Sequence, residues 1–153
     1  MLLLLTDEQY LAEWKNITWQ GLPFSPGAPQ YDTANGEKVR SKSEVIIADT
    51  LARYGIAYRY EFPLRLRQTK RDSENATIYP DFLCLNLRTR TEFYWEHFGL
   101  MDDAAYATKS ARKLRFYAEN NIFIGRNLII TMETQEEPLN IKIIEKSIIE
   151  FLK

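Results

Sequence analysis

A chain of 153 residues with 45% apolar and 13% aromatic side chains suffices for one domain with its own core. Such a domain buries roughly two thirds of the surface its unfolded form exposes. The formal net charge of −1 and pI of about 5.9 exclude a global positive field, so any contact with nucleic acid has to come from a local patch. The single Cys84, in the apolar run Phe82-Leu83-Cys84-Leu85, excludes an intrachain disulfide and predicts a packing role in a reducing, cytoplasmic setting.

The apolar start at 1–5 lacks a basic leader and breaks at once into Thr6-Asp7-Glu8, so it does not read as an export signal. No stretch approaches the roughly 18 apolar residues of a membrane span. The expectation is a soluble, intracellular protein. Thr6 with Gln9 forms a capping-box start, and Tyr10, Leu11 and Trp14 recur at helical spacing, which predicts an amphipathic helix from 7 to about 17. From 21 to 36, Pro23, Pro26, Gly27 and Pro29 argue against regular structure and Asn35-Gly36 marks a turn. The chain thus divides into a helix and connector, 1–36, and a core domain, 37–153.

Ser41, Glu44 and the apolar positions Val45, Ile46, Ala48, Leu51 and Ala52 predict a second helix that closes near Tyr54-Gly55. Alternating apolar and charged residues over 57–66 predict a half-buried strand, in which Pro63 implies an edge or a bulge. The polar run 68–75, carrying Lys70 and Arg71, reads as an exposed turn. Strands over 77–87 and 91–98, parted by Arg88-Thr89-Arg90, complete a three-strand meander. Asp102 or Asp103 then caps a helix whose Tyr106, Ala107, Ala111, Leu114 and Tyr117 keep a helical period up to Asn120-Asn121. Leu128-Ile129-Ile130 is a buried strand, and Pro138 precedes a last amphipathic helix, Ile141–Leu152. The order is that of an α/β fold with an α+β-like mixed sheet: helix, three strands, helix, strand, helix, behind an N-terminal helical extension.

Three acids stand out on this frame: Glu44 opening a helix, Asp81 after a proline within an apolar run, and Glu96 in an aromatic strand. Carboxylates on helix, strand and strand can meet at one edge of a small sheet and hold a divalent cation. Mg²⁺ takes one or two carboxylates together with waters and phosphate oxygens. It stabilises charge on a phosphodiester and makes a bound water more acidic. Plainer readings exist: Ser41 and Glu44 match a capping box, Pro80-Asp81 is a turn dipeptide, and Glu92 and Glu96 share a strand face that is simply solvated if both point outward. An aspartate flanked by Ile78, Tyr79, Phe82 and Leu83 lies at a strand end or is expensively buried, and this favours function.

The segments Ser41-Lys42-Ser43-Glu44, Tyr79-Pro80-Asp81-Phe82 and Tyr94-Trp95-Glu96-His97-Phe98-Gly99, in this element order, resemble the PD-(D/E)xK nuclease superfamily, with its restriction-endonuclease-like core. The resemblance covers roughly 38–131. It implies that Asp81 and Glu96 bind Mg²⁺ or Mn²⁺, and that Glu44 adds a second-site or water-mediated contact. It also implies a nucleic-acid substrate, with DNA the expected one, and a homodimer or association with a larger DNA-processing protein. The sequence departs from the motif at Phe98, where the family has a lysine. Either His97 enters the site through a bulge near Gly99, or a lysine of the next helix, Lys113 or Lys109, reaches over it. Lys113 is preferred because it precedes the apolar Leu114. For His97 a hydrogen-bonded structural role is the better reading.

Arg65, Arg67, Lys70 and Arg71, with Lys109, Arg112, Lys113 and Arg115, are the candidates for a phosphate-tracking surface, although such charges are usually solvated faces and Asp102, Asp103 and Glu119 dilute them. Tyr58, Tyr60 and Tyr79 are candidates for stacking on unpaired bases, and core packing explains them more cheaply. The sequence holds no P-loop, no G-x-G-x-x-G, no HExxH, no zinc cysteine cluster and no serine-histidine elbow. The expected function is a Mg²⁺-dependent nuclease. The alternative, which Phe98 favours, is a nuclease-like fold that has lost catalysis and serves as a nucleic-acid-binding or protein-interaction module. A small structural or assembly protein is a third reading.

Overall fold

A computed structural model describes residues 4–68 and 75–153 of the chain. Thr6 accepts the Gln9 N–H at 3.1 Å and Gln9 returns its side chain to the Thr6 N–H at 2.9 Å, so a complete capping box starts helix α1 (Asp7–Lys15). The stretch expected to be an irregular connector ends in a hairpin instead. Strand β1 (Tyr31–Asp32) pairs antiparallel with β2 (Lys38–Val39) across a turn that Gly36 closes at φ 94°. Ser41 caps α2 (Lys42–Arg53) by accepting the Glu44 N–H, and Gly55, at φ 71°, lets the chain leave it.

The predicted meander forms with two corrections. Its first strand splits into β3 (Tyr58–Tyr60) and β4 (Leu64–Arg67), because Glu61 takes a left-handed φ of 50° and Pro63 has no N–H to give to a ladder. Its second splits likewise into β5 (Asn75–Ile78) and β6 (Phe82–Asn86), on either side of Tyr79-Pro80. The inner pieces stay in the main sheet while β4 and β5 peel away as their own antiparallel pair. The exposed turn expected over 68–75 falls mostly on 69–74, so Lys70 and Arg71 lie outside the described residues.

Strand β7 (Thr91–Phe98) follows β6 through a tight reversal, then α3 (Ala104–Glu119), capped by Asp103, leads to β8 (Leu128–Met132) and α4 (Ile141–Leu152). The main sheet has the order β3-β6-β7-β8, antiparallel except for the parallel β7–β8 pair that α3 connects. This is a mixed α/β architecture.

Side-chain alternation sorts the sheet into two apolar faces. Phe82, Cys84, Trp95 and Ile129 point to α2 and α4, where they meet Ile47, Leu51, Ile144 and Ile148. The other face offers Tyr94, Leu128 and Ile130 to Tyr117 and Leu114 of α3 and to Leu66 of β4. Every residue of β6 is buried, which is why its sequence is an unbroken apolar run rather than an alternating one. Cys84 is part of this packing, as expected. Among the described residues, no helix is long and apolar enough to cross a membrane.

The N-terminal helix is bound into this core. Trp14 packs on Leu83 and Leu85, donates its indole N–H to Glu92 at 2.7 Å, and lies 3.9 Å below the Arg59 guanidinium, whose far side faces Phe62. Arg90, in the reversal between β6 and β7, has φ 53°; its guanidinium holds the Leu5 carbonyl at 2.5 Å and stands over the Tyr10 ring. Trp14→Ala is therefore expected to cost about 3–5 kcal/mol, read from the denaturant midpoint at unchanged m-value. A cost below about 1 kcal/mol would show that α1 is not part of the cooperative core.

Candidate functional site

Pairing of β6 with β7 sets Phe82 opposite Trp95 and so carries Asp81, one residue outward, to the level of Glu96. Both lie on the sheet face opposite Phe82 and Trp95. Asp81 accepts the His97 backbone N–H through Oδ2 at 2.7 Å. The Glu96 side chain, only 3% exposed, receives two donors from α3 on one oxygen: Lys113 Nζ lies 2.8 Å from Oε1 and the Tyr117 hydroxyl donates to it at 2.7 Å. Lys113 and Tyr117 are four residues apart, hence on one helix face. Among the described residues, none donates a hydrogen bond to Asp81 Oδ1 or Glu96 Oε2. Among the described residues, each carboxylate thus has one oxygen fastened and one without a donor.

Charge accumulates here at a cost. Burial pushes the Asp81 carboxyl well above the usual carboxylate range, and the nearby Glu96 and then Glu44 charges push the same way, against the His97 N–H and Lys113. Glu44 is buried at the start of α2, where Oε1 accepts the Arg40 N–H at 2.9 Å and the Tyr60 hydroxyl stands 3.3 Å from both oxygens. Burial raises this carboxyl too, while those donors oppose it. Ser41 caps the helix as the capping-box reading requires, but Glu44 takes the N–H of Arg40 rather than that of Ser41.

The His97 ring lines one cleft with Asp81 and Glu44 but makes no hydrogen bond to Asp81, Glu96 or Glu44 among the described residues. The β7–β8 register runs unbroken through His97↔Thr131 and Phe98↔Met132, so no bulge turns the imidazole, and it stays on the Trp95 face. There Trp95 Nε1 donates to Thr131 Oγ1 at 3.1 Å, that hydroxyl lies 2.8 Å from His97 Nδ1, and His97 Nε2 lies 2.7 Å from Glu133 Oε1. With the Thr131 hydroxyl proton directed to Nδ1, Nε2 donates its N–H to Glu133. Glu133 also accepts Ser43 Oγ–H and the Leu139 N–H. Partial burial draws the Glu133 carboxyl upward, but the Ser43 and His97 hydrogen bonds prevail and hold it below its ordinary value. These partners give the His97 ring a hydrogen-bonded, structural place; what this residue gives to Asp81 is its backbone.

The position of the missing motif lysine, Phe98, is buried, and Lys113 comes to Glu96 from α3 while Lys109 remains exposed. Arg65 and Arg67 on β4 and Arg112 on α3 are likewise exposed. Arg67 is tied to the end of α3 by its N–H to Asn120 Oδ1 at 2.9 Å and by its carbonyl, which accepts from Asn120 Nδ2 at 3.1 Å. A cleft of about 410 Å³ opens between the start of α2 and the end of β7, lined by Ser41, Ser43, Glu44, Asp81, Gly99 and Tyr106 among others.

Among the described residues, no group of three His, Cys, Asp or Glu side chains is gathered to hold a metal ion, so the expected meeting of three acids narrows to the pair Asp81 and Glu96. A pair with hard, free oxygens fits Mg²⁺, which keeps several waters and rarely uses an all-protein cage. Sequence reasoning missed Tyr117 and Glu133. The signal for Tyr117 was present in its spacing from Lys113; Glu133 has none, because its side-chain partners His97 and Ser43 lie 36 and 90 residues away.

No protein-family model matches the chain. It is similar to an uncharacterized protein of Methanocaldococcus jannaschii, 28% identical over 130 residues that make up 76% of this chain and 10% of that protein. The chain thus spans about a tenth of that relative's length.

Because the folded Asp81 carboxyl titrates above its unfolded value, the stability it contributes is present below the unfolded value and lost as pH rises through the folded one. Asp81→Asn keeps an acceptor for the His97 N–H and removes the charge. It is expected to raise Tm by about 2–6 °C near neutral pH in chelator, the equivalent of about 1–2 kcal/mol, with the gain vanishing in acid. An unchanged or lower Tm near neutral pH would contradict the buried-charge account.

Proposed function

We propose that the protein is a Mg²⁺-dependent nuclease with a restriction-endonuclease-like core, hydrolysing phosphodiester bonds of DNA. One observation carries the reading: Asp81, at the entry to β6, and Glu96 on β7 are near enough to feel each other's charge, each has one oxygen fastened and, among the described residues, one without a donor, and a lysine from the following helix reaches the second of them. Asp81 and Glu96 are the residues that would hold the cation, with Glu44, which lines one cleft with Asp81, in a position to act through water. Bound there, Mg²⁺ would supply charge stabilisation to the phosphodiester and lower the pKa of a water.

The chain's own groups do the rest. Lys113, with a side chain one third exposed, is long and flexible enough to turn its ammonium from Glu96 to an attacking water or a phosphate oxygen. The His97 N–H fixes the Asp81 carboxylate, and the β7 backbone that provides it is anchored in turn by the imidazole. Arg65, Arg67, Lys109 and Arg112 are exposed and would suit a phosphate backbone. Likeness to a small part of a much longer protein suits a module that works attached to, or beside, a larger DNA-processing chain.

Cleavage of labelled single- and double-stranded DNA and RNA in Mg²⁺ or Mn²⁺ tests the reading. Asp81→Ala and Glu96→Ala are expected to abolish cleavage, and Lys113→Ala to slow it about 10²-fold at saturating metal. Equal activity in the wild type and all three variants would mean a contaminant and end the proposal. Absence of both cleavage and Mn²⁺ binding would favour the catalytically degenerate binding module that Phe98 suggests. Neutralising Arg65, Arg67, Lys109 and Arg112 together is expected to flatten the slope of log K against log salt for duplex DNA by about 0.9 for each phosphate no longer neutralised. An unaltered slope would move the binding surface elsewhere.

A further inference from the structure

Oε1 of Glu96 carries two donors that differ in every mechanical respect. The Tyr117 ring is fully buried, wedged among Leu66, Ile122 and Leu128, and has only two side-chain torsions. Lys113 reaches the same oxygen on a four-carbon stem that is one third exposed. A single lysine cannot both hold Glu96 and turn towards a reacting water, since a carboxylate that loses its sole donor is free to rotate about its last torsion and forfeit the geometry a cation needs.

We infer that Tyr117 is the positioning residue of the site: its hydroxyl keeps Glu96 Oε1 fastened and Oε2 turned outward to a divalent cation, so that Lys113 is released for the reacting water. The inference rests on the reading of Asp81 and Glu96 as cation ligands. Its content is a division of labour on one helix, with the rigid donor serving the metal and the flexible one serving the chemistry. The local sequence supports it. Lys113 and Tyr117 occupy successive turns of α3, and the residue one turn earlier on that side, Ser110, is buried with its hydroxyl returned to the Tyr106 carbonyl at 2.9 Å, so it offers no competing donor.

The test is a calorimetric titration with Mn²⁺ of the wild type, Tyr117→Phe and Tyr94→Phe. Tyr94 belongs to the same apolar cluster and, among the described residues, its hydroxyl makes no hydrogen bond, so its variant reports any general loosening. All three are titrated well below their own melting temperatures, which keeps the comparison between folded proteins. Tyr117→Phe is expected to bind Mn²⁺ about 10-fold more weakly, as for the loss of a partner behind a metal ligand, and Tyr94→Phe to match the wild type. Cleavage adds a second readout: Tyr117→Phe should require more metal for half-maximal rate yet approach the wild-type rate at saturation, whereas Lys113→Ala stays slow at any metal concentration. Wild-type affinity in Tyr117→Phe, or an equal loss in Tyr94→Phe, overturns the positioning role while leaving the cation site intact. A wild type that binds no Mn²⁺ removes the site and this inference together.

Discussion

Antiparallel pairing of β6 with β7 is the constraint from which the site descends. Phe82 must face Trp95 because both fill the layer under α2 and α4, and neither has another place to go. Once that pair is set, the pleat leaves no choice for the residues just beyond it: Asp81 and Glu96 fall on the opposite face, side by side. A slip of β6 by one residue would turn Asp81 into the aromatic layer and Phe82 out of it. The apolar core thereby enforces a juxtaposition of like charges that no local interaction would select, and the Asp81 carboxyl is lifted by burial first and by the Glu96 charge second.

The two sides of the sheet answer this tension differently. On the α3 side, compensation is direct, through the ammonium and phenol that converge on Glu96. On the α2 side it is indirect. The Trp95, Thr131, His97 and Glu133 chain knits β7 to β8 and, through Ser43, to the first turn of α2, so the strand that provides the Asp81 acceptor with its N–H is held from behind. Glu44 adds charge from the same helix start and is itself restrained by Tyr60 and the Arg40 N–H. Buried polar groups of this kind are tolerated only when nearly every donor and acceptor is matched.

How far the sequence predicted this differs by element for physical reasons. Helices α2, α3 and α4 were legible because caps, glycines and a 3.6-residue period are local signals, and Ser41, Asp103 and Gly55 stand where those signals placed them. The meander was legible in order but not in its breaks: a left-handed Glu61 cannot be read from a glutamate, and Pro63 announces only that some irregularity is near. Asp81 and Glu96 could be paired because a hairpin makes their distance a matter of counting. Lys113 followed from the position of its helix. Tyr117 passed as a core aromatic, which it also is, and Glu133 depends on contacts across the whole chain that no spacing rule encodes. For His97 alternation alone sufficed, since strand geometry turns its ring away from Glu96.

The reversal between β6 and β7 has a bearing of its own. Arg90 sits there in a backbone conformation that costs an L-residue about 1–2 kcal/mol, and it is kept in place from outside the hairpin, by the carbonyl of Leu5 and the ring of Tyr10. The reversal and the first turn of α1 therefore form a single mechanical joint. One guanidinium thus fastens both the chain ahead of α1 and the bend from which β6 and β7 take their register.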